Sequence, residues 1–154
     1  IMTSQVLFKI LDNYCLNKNY LPPKYATCGS AAVDLRACTK QEIILKSGST
    51  QLINTGIALH LIDQKLAAMI LSRSSLGHKY GIVLANQVGL IDSDYQGEIL
   101  ISLWNRSNND FIINPAMRIA QLLFLNITQV NFKLVDNFQV TSRADGGFGH
   151  TGYD

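Results

Sequence analysis

The strongest constraint on this chain is its punctuation. Apolar residues come in short runs, and most runs end at turn-forming chemistry. Strands are predicted near 5–11, 41–45, 50–53, 56–61, 67–71, 82–84, 98–104, 111–113, 118–127 and 130–135. Between them stand PPK, KSGS, NTG, RSNND and NP, whose Gly, Pro, Asn and Ser favour reversals. One helical turn fits, SSLGHKYG at 74–81. So many short strands with regular turns predict an all-β fold, a distorted jelly roll or β-sandwich with one short helix. With no repeat and no linker, residues 1–154 read as one domain, ending in a glycine-rich tail from about residue 141.

The segment EILISLW, 98–104, carries Ile99, Ile101 and Leu103 on one face and Leu100, Ser102 and Trp104 on the other. A strand with one wet face alternates apolar and polar residues. This one expects cover on both sides, which another subunit would supply.

Composition removes whole classes. Apolar residues are 47% and charged residues 16%, which excludes a disordered chain. Thirteen basic against 11 acidic side chains is too balanced for a general nucleic-acid binder. No apolar run approaches the roughly 18 residues of a membrane span, and the start lacks the charged-then-apolar order of a signal peptide. Ile1 before Met2 reads as a cloning remnant. Cys15, Cys28 and Cys38, an odd number without C-x-x-C, read as reduced structural thiols of a cytoplasmic protein. His60, His78 and His150 lie far apart and suggest no metal cluster.

Several polar residues stand where the pattern asks for something else. Gln121 interrupts RIAQLLFLNI, either as a core amide bonded to backbone or as a group facing a site. Asn86 in VLANQVGLI fits a hairpin turn as well as a pocket. In IDSDYQG, 91–97, Asp92 and Asp94 would face the same way if extended, and otherwise form an acidic turn. SRSSLGHKYG, 72–81, offers hydroxyls and Arg73, suited to an anion or to an ordinary helix cap. The tail RADGGFGHTGYD is not a Walker loop, because Tyr153 stands where that motif needs Lys. Its backbone N–H groups could still wrap an anion. Arg73, Arg118 and Arg143, the acidic turn, and the rings of Tyr95 and Phe148 together suit a nucleotide polyphosphate with Mg²⁺.

In order, GSAAVDLRA (29–37), SRSSLGHKYG (72–81), NQVGLIDSDYQG (86–97), RIAQLLF (118–124) and RADGGFGHTG (143–152) resemble the five motifs of the homotrimeric dUTPase family, bacterial type. The resemblance implies a jelly-roll-like trimer with three sites between subunits. It implies hydrolysis of dUTP to dUMP and pyrophosphate with Mg²⁺, which keeps uracil out of DNA and supplies dUMP for thymidylate synthesis. Asp92 would orient and polarise the attacking water, and Asp34 would lie near the metal-bound waters. Tyr95 would pack on the deoxyribose and exclude a 2′-hydroxyl. Asn86 would read uracil, with Gly89 and Ile91 of the same motif. Arg73, Ser74, Ser75 and Gln121 would meet the phosphates. The tail would be a lid serving a site built by other subunits. In it Phe148 would stack on uracil while Arg143, Thr151, Gly149 and His150 close over the phosphates. Ala144 stands where the family usually has Gly, Asp145 adds a negative charge, and Ser72 and Ser75 replace the common Pro and Gly.

Two rivals remain at this level. dCTP deaminase shares the fold and an R-S-S-L stretch, but needs a glutamate base on the strand where this chain has Ser102; Glu42 and Glu98 do not align with it. A jelly-roll binding module would have kept the pocket without turnover, which the retained Asp92 argues against.

Overall fold

Alternating burial organises the centre of the molecule. In strand β8 (Glu98–Asn105), Ile99, Ile101 and Leu103 are buried while Leu100 and Trp104 remain over 40% exposed. The computed structural model describes residues 5–11 and 22–146. Among these are β1 (Val6–Ile10), β2 (Val33–Arg36), β3 (Ile43–Leu45), β4 (Thr50–Leu61) and β5 (Leu66–Ser72). Helix α1 (Ser74–Tyr80) follows, then β6 (Ile82–Leu84), β7 (Gly89–Ile91), β8, β9 (Phe111–Ile113) and β10 (Arg118–Asn126). One antiparallel sheet runs β1-β4-β8-β6 and a second β2-β10-β5-β7, with β3-β9 as a small third. Both larger sheets feed one apolar cluster, including Leu35, Ile57, Ile70, Ile101 and Leu122. The all-β expectation holds, and the single described helix falls where SSLGHKYG predicts it.

Three local expectations change. The NTG turn does not split 50–61, because β4 carries a bulge between Asn54 and Ala58 with Gly56 at φ 68°. Glu98 closes the gap in the ladder: its carboxylate accepts Asn54 Nδ2 at 2.9 Å and Gly56 N at 2.8 Å. Strands β2 and β7, absent from the sequence reading, complete the second sheet. The strand expected at 130–135 does not form; after Ile127 N bonds Lys65 O, the described chain has no ladder partner. Val130, Phe132 and Leu134 keep a two-residue period and are 62%, 96% and 97% exposed. The pattern is that of a strand, and the partner strand is missing from the chain's own described residues.

Cys38 is disulfide-bonded, against the expectation of reduced thiols, and Cys28 is free and exposed. A disulfide needs its two Cβ atoms within about 4 Å, which cysteine spacing does not reveal.

Candidate functional site

Polar side chains from three distant segments meet on the outer face of the second sheet. On β2, Val33 and Leu35 point inward while Asp34 and Arg36 are only partly buried. Asp34 pairs with Gln121 of β10, and Gln121 in turn with Leu71 of β5. Arg118 and Gln121 are three residues apart and would face opposite sides of a regular strand. The register shifts between Arg118 and Ala120, so Arg118 pairs with Arg36 and Gln121 with Asp34. That bulge puts both side chains on the face that carries Asp34.

Asp34 is held between two guanidiniums. Arg73 Nε lies 3.0 Å from Oδ1 and Arg118 Nη1 lies 3.3 Å from Oδ2. Arg73 Nη1 also donates to Arg118 O at 3.4 Å, and Gln121 Nε2 donates to Ser72 O at 2.9 Å. Two cations against one carboxylate leave this corner positive, with Arg118 half exposed. Such a surface favours a multiply charged anion. Arg118 entered the sequence reading only as one of several cations; the bulge that aims it at Asp34 has no signal in the sequence.

Arg73 itself is the N-cap of α1, in extended geometry, and no side chain caps the helix. The ordinary hydroxyl-cap reading of this segment therefore fails. Ser74 and Ser75 open the first turn with both side chains exposed.

The third motif lies elsewhere. Asn86 is exposed in the turn 85–88 joining β6 to β7, where Gln87 N bonds Leu84 O at 3.2 Å and Gln87 has φ 63°. Gly89 is buried against β5, and a Cβ there would meet the Ile70 side chain at 3.0 Å. Beyond Ile91 the chain turns: Tyr95 N donates to Asp92 O at 3.2 Å, and Leu61 N donates to Ser93 O at 3.2 Å. Asp92 and Asp94 therefore sit around a turn and not along an extended segment. A cavity of about 200 Å³ is lined by Ile91, Asp92, Tyr95, Glu98, Ile99 and Leu100 with Leu90. None of Asp34, Arg73, Arg118 and Gln121 is in its walls. A larger cavity of about 460 Å³, walled by Val6, Phe8, Tyr25, Leu59, Leu122 and Phe124 among others, offers no carboxylate or cation, so size does not mark the site.

Register measures the gap between the halves. Ile91, the neighbour of Asp92, pairs with Ala68, whereas Arg73 follows Ser72 at the far end of the same strand. From Ala68 to Arg73 is five residues at about 3.3 Å each, which puts Ile91 and Arg73 roughly 16 Å apart along the strand.

In the tail, Arg143 Nε donates to its own Gly146 O at 3.0 Å, and Ala144 N bonds Thr141 O and Oγ1. Ala144 stands at φ 44°, the left-handed region. Phe148, Gly149, His150 and Thr151 lie outside the described residues.

The family model described as dUTPase matches residues 19–152. A deoxyuridine 5'-triphosphate nucleotidohydrolase of Psychromonas ingrahamii is 55% identical over 148 residues, spanning 96% of this chain and 97% of that protein. Another, from Enterobacter sp., is 52% identical over 151 residues, with 98% and 99% spanned. The solved dUTPase of Staphylococcus bacteriophage 80alpha with dUPNHPP shares the fold at a TM-score of 0.83 and 24% identity, over 97% of this chain and 99% of that one.

Proposed function

The chain belongs to the dUTPase family and is a dUTP diphosphatase, and we propose that it works at sites shared between the subunits of a homotrimer, with Asp92 placing the attacking water. The observation that carries this reading is that Ile91, the neighbour of Asp92, stands level with Ala68, roughly 16 Å along β5 from Arg73. A water attacking the α-phosphorus and the groups gripping the adjacent phosphates must lie within a few ångströms of one triphosphate. One chain offers both halves but not together, so a neighbouring copy completes each site. Two exposed apolar surfaces support association: Leu52, Leu100 and Trp104 on the outer face of β4 and β8, and the unpaired stretch with Phe132 and Leu134.

In this mechanism Asp92 holds a water in line with the α-phosphorus and accepts its proton as the new P–O bond forms. A carboxylate is a weak base at neutral pH, so placement is the larger part of that work. The bond between the α-phosphorus and the bridging oxygen breaks, and pyrophosphate leaves with the electron pair. Arg73, Ser74, Ser75 and Gln121 stabilise the charge that builds there. Asn86 reads the uracil edge beside Gly89 and Ile91, and Tyr95 packs on the sugar. Arg143, Phe148, Gly149, His150 and Thr151 form the lid.

Mg²⁺ fits this arrangement as an ion carried by the triphosphate. No group of three or more His, Cys, Asp or Glu side chains gathers among the described residues, and Asp34 presents a single carboxylate flanked by arginines. Mg²⁺ is commonly held by one or two carboxylates, substrate phosphates and several waters. Asp34 would meet it through water, and the bound ion would neutralise phosphate charge. No helix among the described residues is long and apolar enough to cross a membrane; a cytoplasmic location is part of the proposal.

Pyrophosphate release with Mg²⁺ from dUTP, set beside dTTP, dCTP and UTP, tests the reading. Strong release from dUTP alone is expected. Ammonia from dCTP, or nucleotide binding without turnover, would replace it with one of the rivals.

Ala144 gives a smaller prediction. A left-handed alanine costs about 1 kcal/mol that glycine does not pay, partly offset by glycine's freedom in the open tail. Ala144→Gly is expected to lower KM for dUTP by up to about fivefold. An unchanged or raised KM would mean that this turn is not part of the closed lid.

A further inference from the structure

The Tyr95 ring is held from below by two backbone features that no motif role accounts for. Its hydroxyl donates to Glu98 O at 3.0 Å. Glu98 is itself pinned, since its carboxylate accepts Asn54 Nδ2 and Gly56 N at the β4 bulge. The ring tip also lies against Gly97: a Cβ there would stand 2.5 Å from Oη, 2.7 Å from Cζ and 3.1 Å from Cε2. The backbone at Gly97 is outside the left-handed region. Glycine is therefore needed here for space, not for a special turn.

We propose that Gly97 is a specificity-determining position, whose missing side chain lets the Tyr95 ring seat on the backbone at the distance that admits deoxyribose and rejects ribose. This rests on the reading of Tyr95 as the sugar platform. Any side chain at position 97 pushes the ring tip away by about an ångström or swings it off its bond to Glu98. A displacement of that size at a reacting site costs up to about a hundredfold in rate. Here it reshapes the wall of the cavity shared with Asp92, so the loss falls on discrimination between dUTP and UTP. Gly97 touches no substrate; it acts through Tyr95.

The test compares kcat/KM for dUTP and UTP with Mg²⁺ in the wild type, Gly97→Ala, Tyr95→Phe and Tyr95→Ala, with the Tm of each. Gly97→Ala is expected to reduce the dUTP/UTP ratio by at least about tenfold, with little change in Tm. Tyr95→Phe, which keeps the ring but cuts its tether, should reduce the ratio less. Tyr95→Ala should abolish most of it. If Tyr95→Ala collapses the ratio while Gly97→Ala leaves it within about twofold, the Gly97 proposal is wrong and the sugar platform stands. If Tyr95→Ala leaves the ratio intact, the platform reading falls and takes the proposal with it. Should Gly97→Ala fail to fold, Tyr95→Phe decides: an unchanged ratio overturns the proposal.

Discussion

Two inactive variants, Asp92→Asn and Arg73→Ala, are expected to regain activity when unfolded together and refolded as mixed trimers. Each alone should be severely impaired, the first because the water loses its anchor and the second because a phosphate clamp is gone. Ile91 pairs with Ala68 while Arg73 follows Ser72, so the two groups sit at opposite ends of β5 in one chain. In the proposed trimer a working site takes Asp92 from one subunit and Arg73 from its neighbour. With equal amounts assorting at random, about a quarter of the sites receive both intact groups. Pyrophosphate release should rise to about that fraction of wild type, against a residual of about a hundredth or less for either parent. Parents mixed while folded, without exchange, should stay inactive. A refolded mixture no better than its parents would mean that Asp92 and Arg73 serve the same site from the same chain, and the shared-site reading would fail.

The longer strands were legible because each is a short apolar run closed by turn-forming residues. EILISLW and RIAQLLFLNI lie within a residue of β8 and β10 at their ends. β2 escaped because VDLR alternates apolar with charged residues over only four positions. β7 escaped because GLI is three residues long and runs into an acidic turn. The stretch 130–135 shows the reverse: a strand pattern without a ladder, since pattern specifies a face and only a neighbour supplies hydrogen bonds. In the site, Gln121 announced itself as a polar residue in an apolar run, and it proves half-buried and bonded to Ser72 O. Its alignment with Asp34 and Arg118 depends on a bulge that changes strand parity. That is a tertiary event, invisible at the level of residue spacing. Gly97 closes the segment NQVGLIDSDYQG, yet its closeness to the Tyr95 ring depends on the turn after Ile91.

Asp92→Asn is expected to lower kcat by roughly a hundred- to ten-thousandfold while KM for dUTP stays within a few fold. The variant should fold normally. Asp92 is exposed, and its structural contact is the backbone carbonyl that accepts Tyr95 N–H, which asparagine retains. An exposed substitution of this kind usually moves stability by about half a kcal/mol or less. Binding should survive because a carboxylate beside a triphosphate contributes repulsion, not affinity, in the ground state. In the proposed role the loss is confined to the step in which water must be aimed and its proton taken, so kcat and kcat/KM should fall together. Asp92→Glu keeps the base but extends it by one methylene, and misplacing the water should leave it well below wild type. A kcat above about a tenth of wild type in Asp92→Asn would assign the water to another group. A loss carried entirely by KM would move Asp92 from the chemistry to substrate binding.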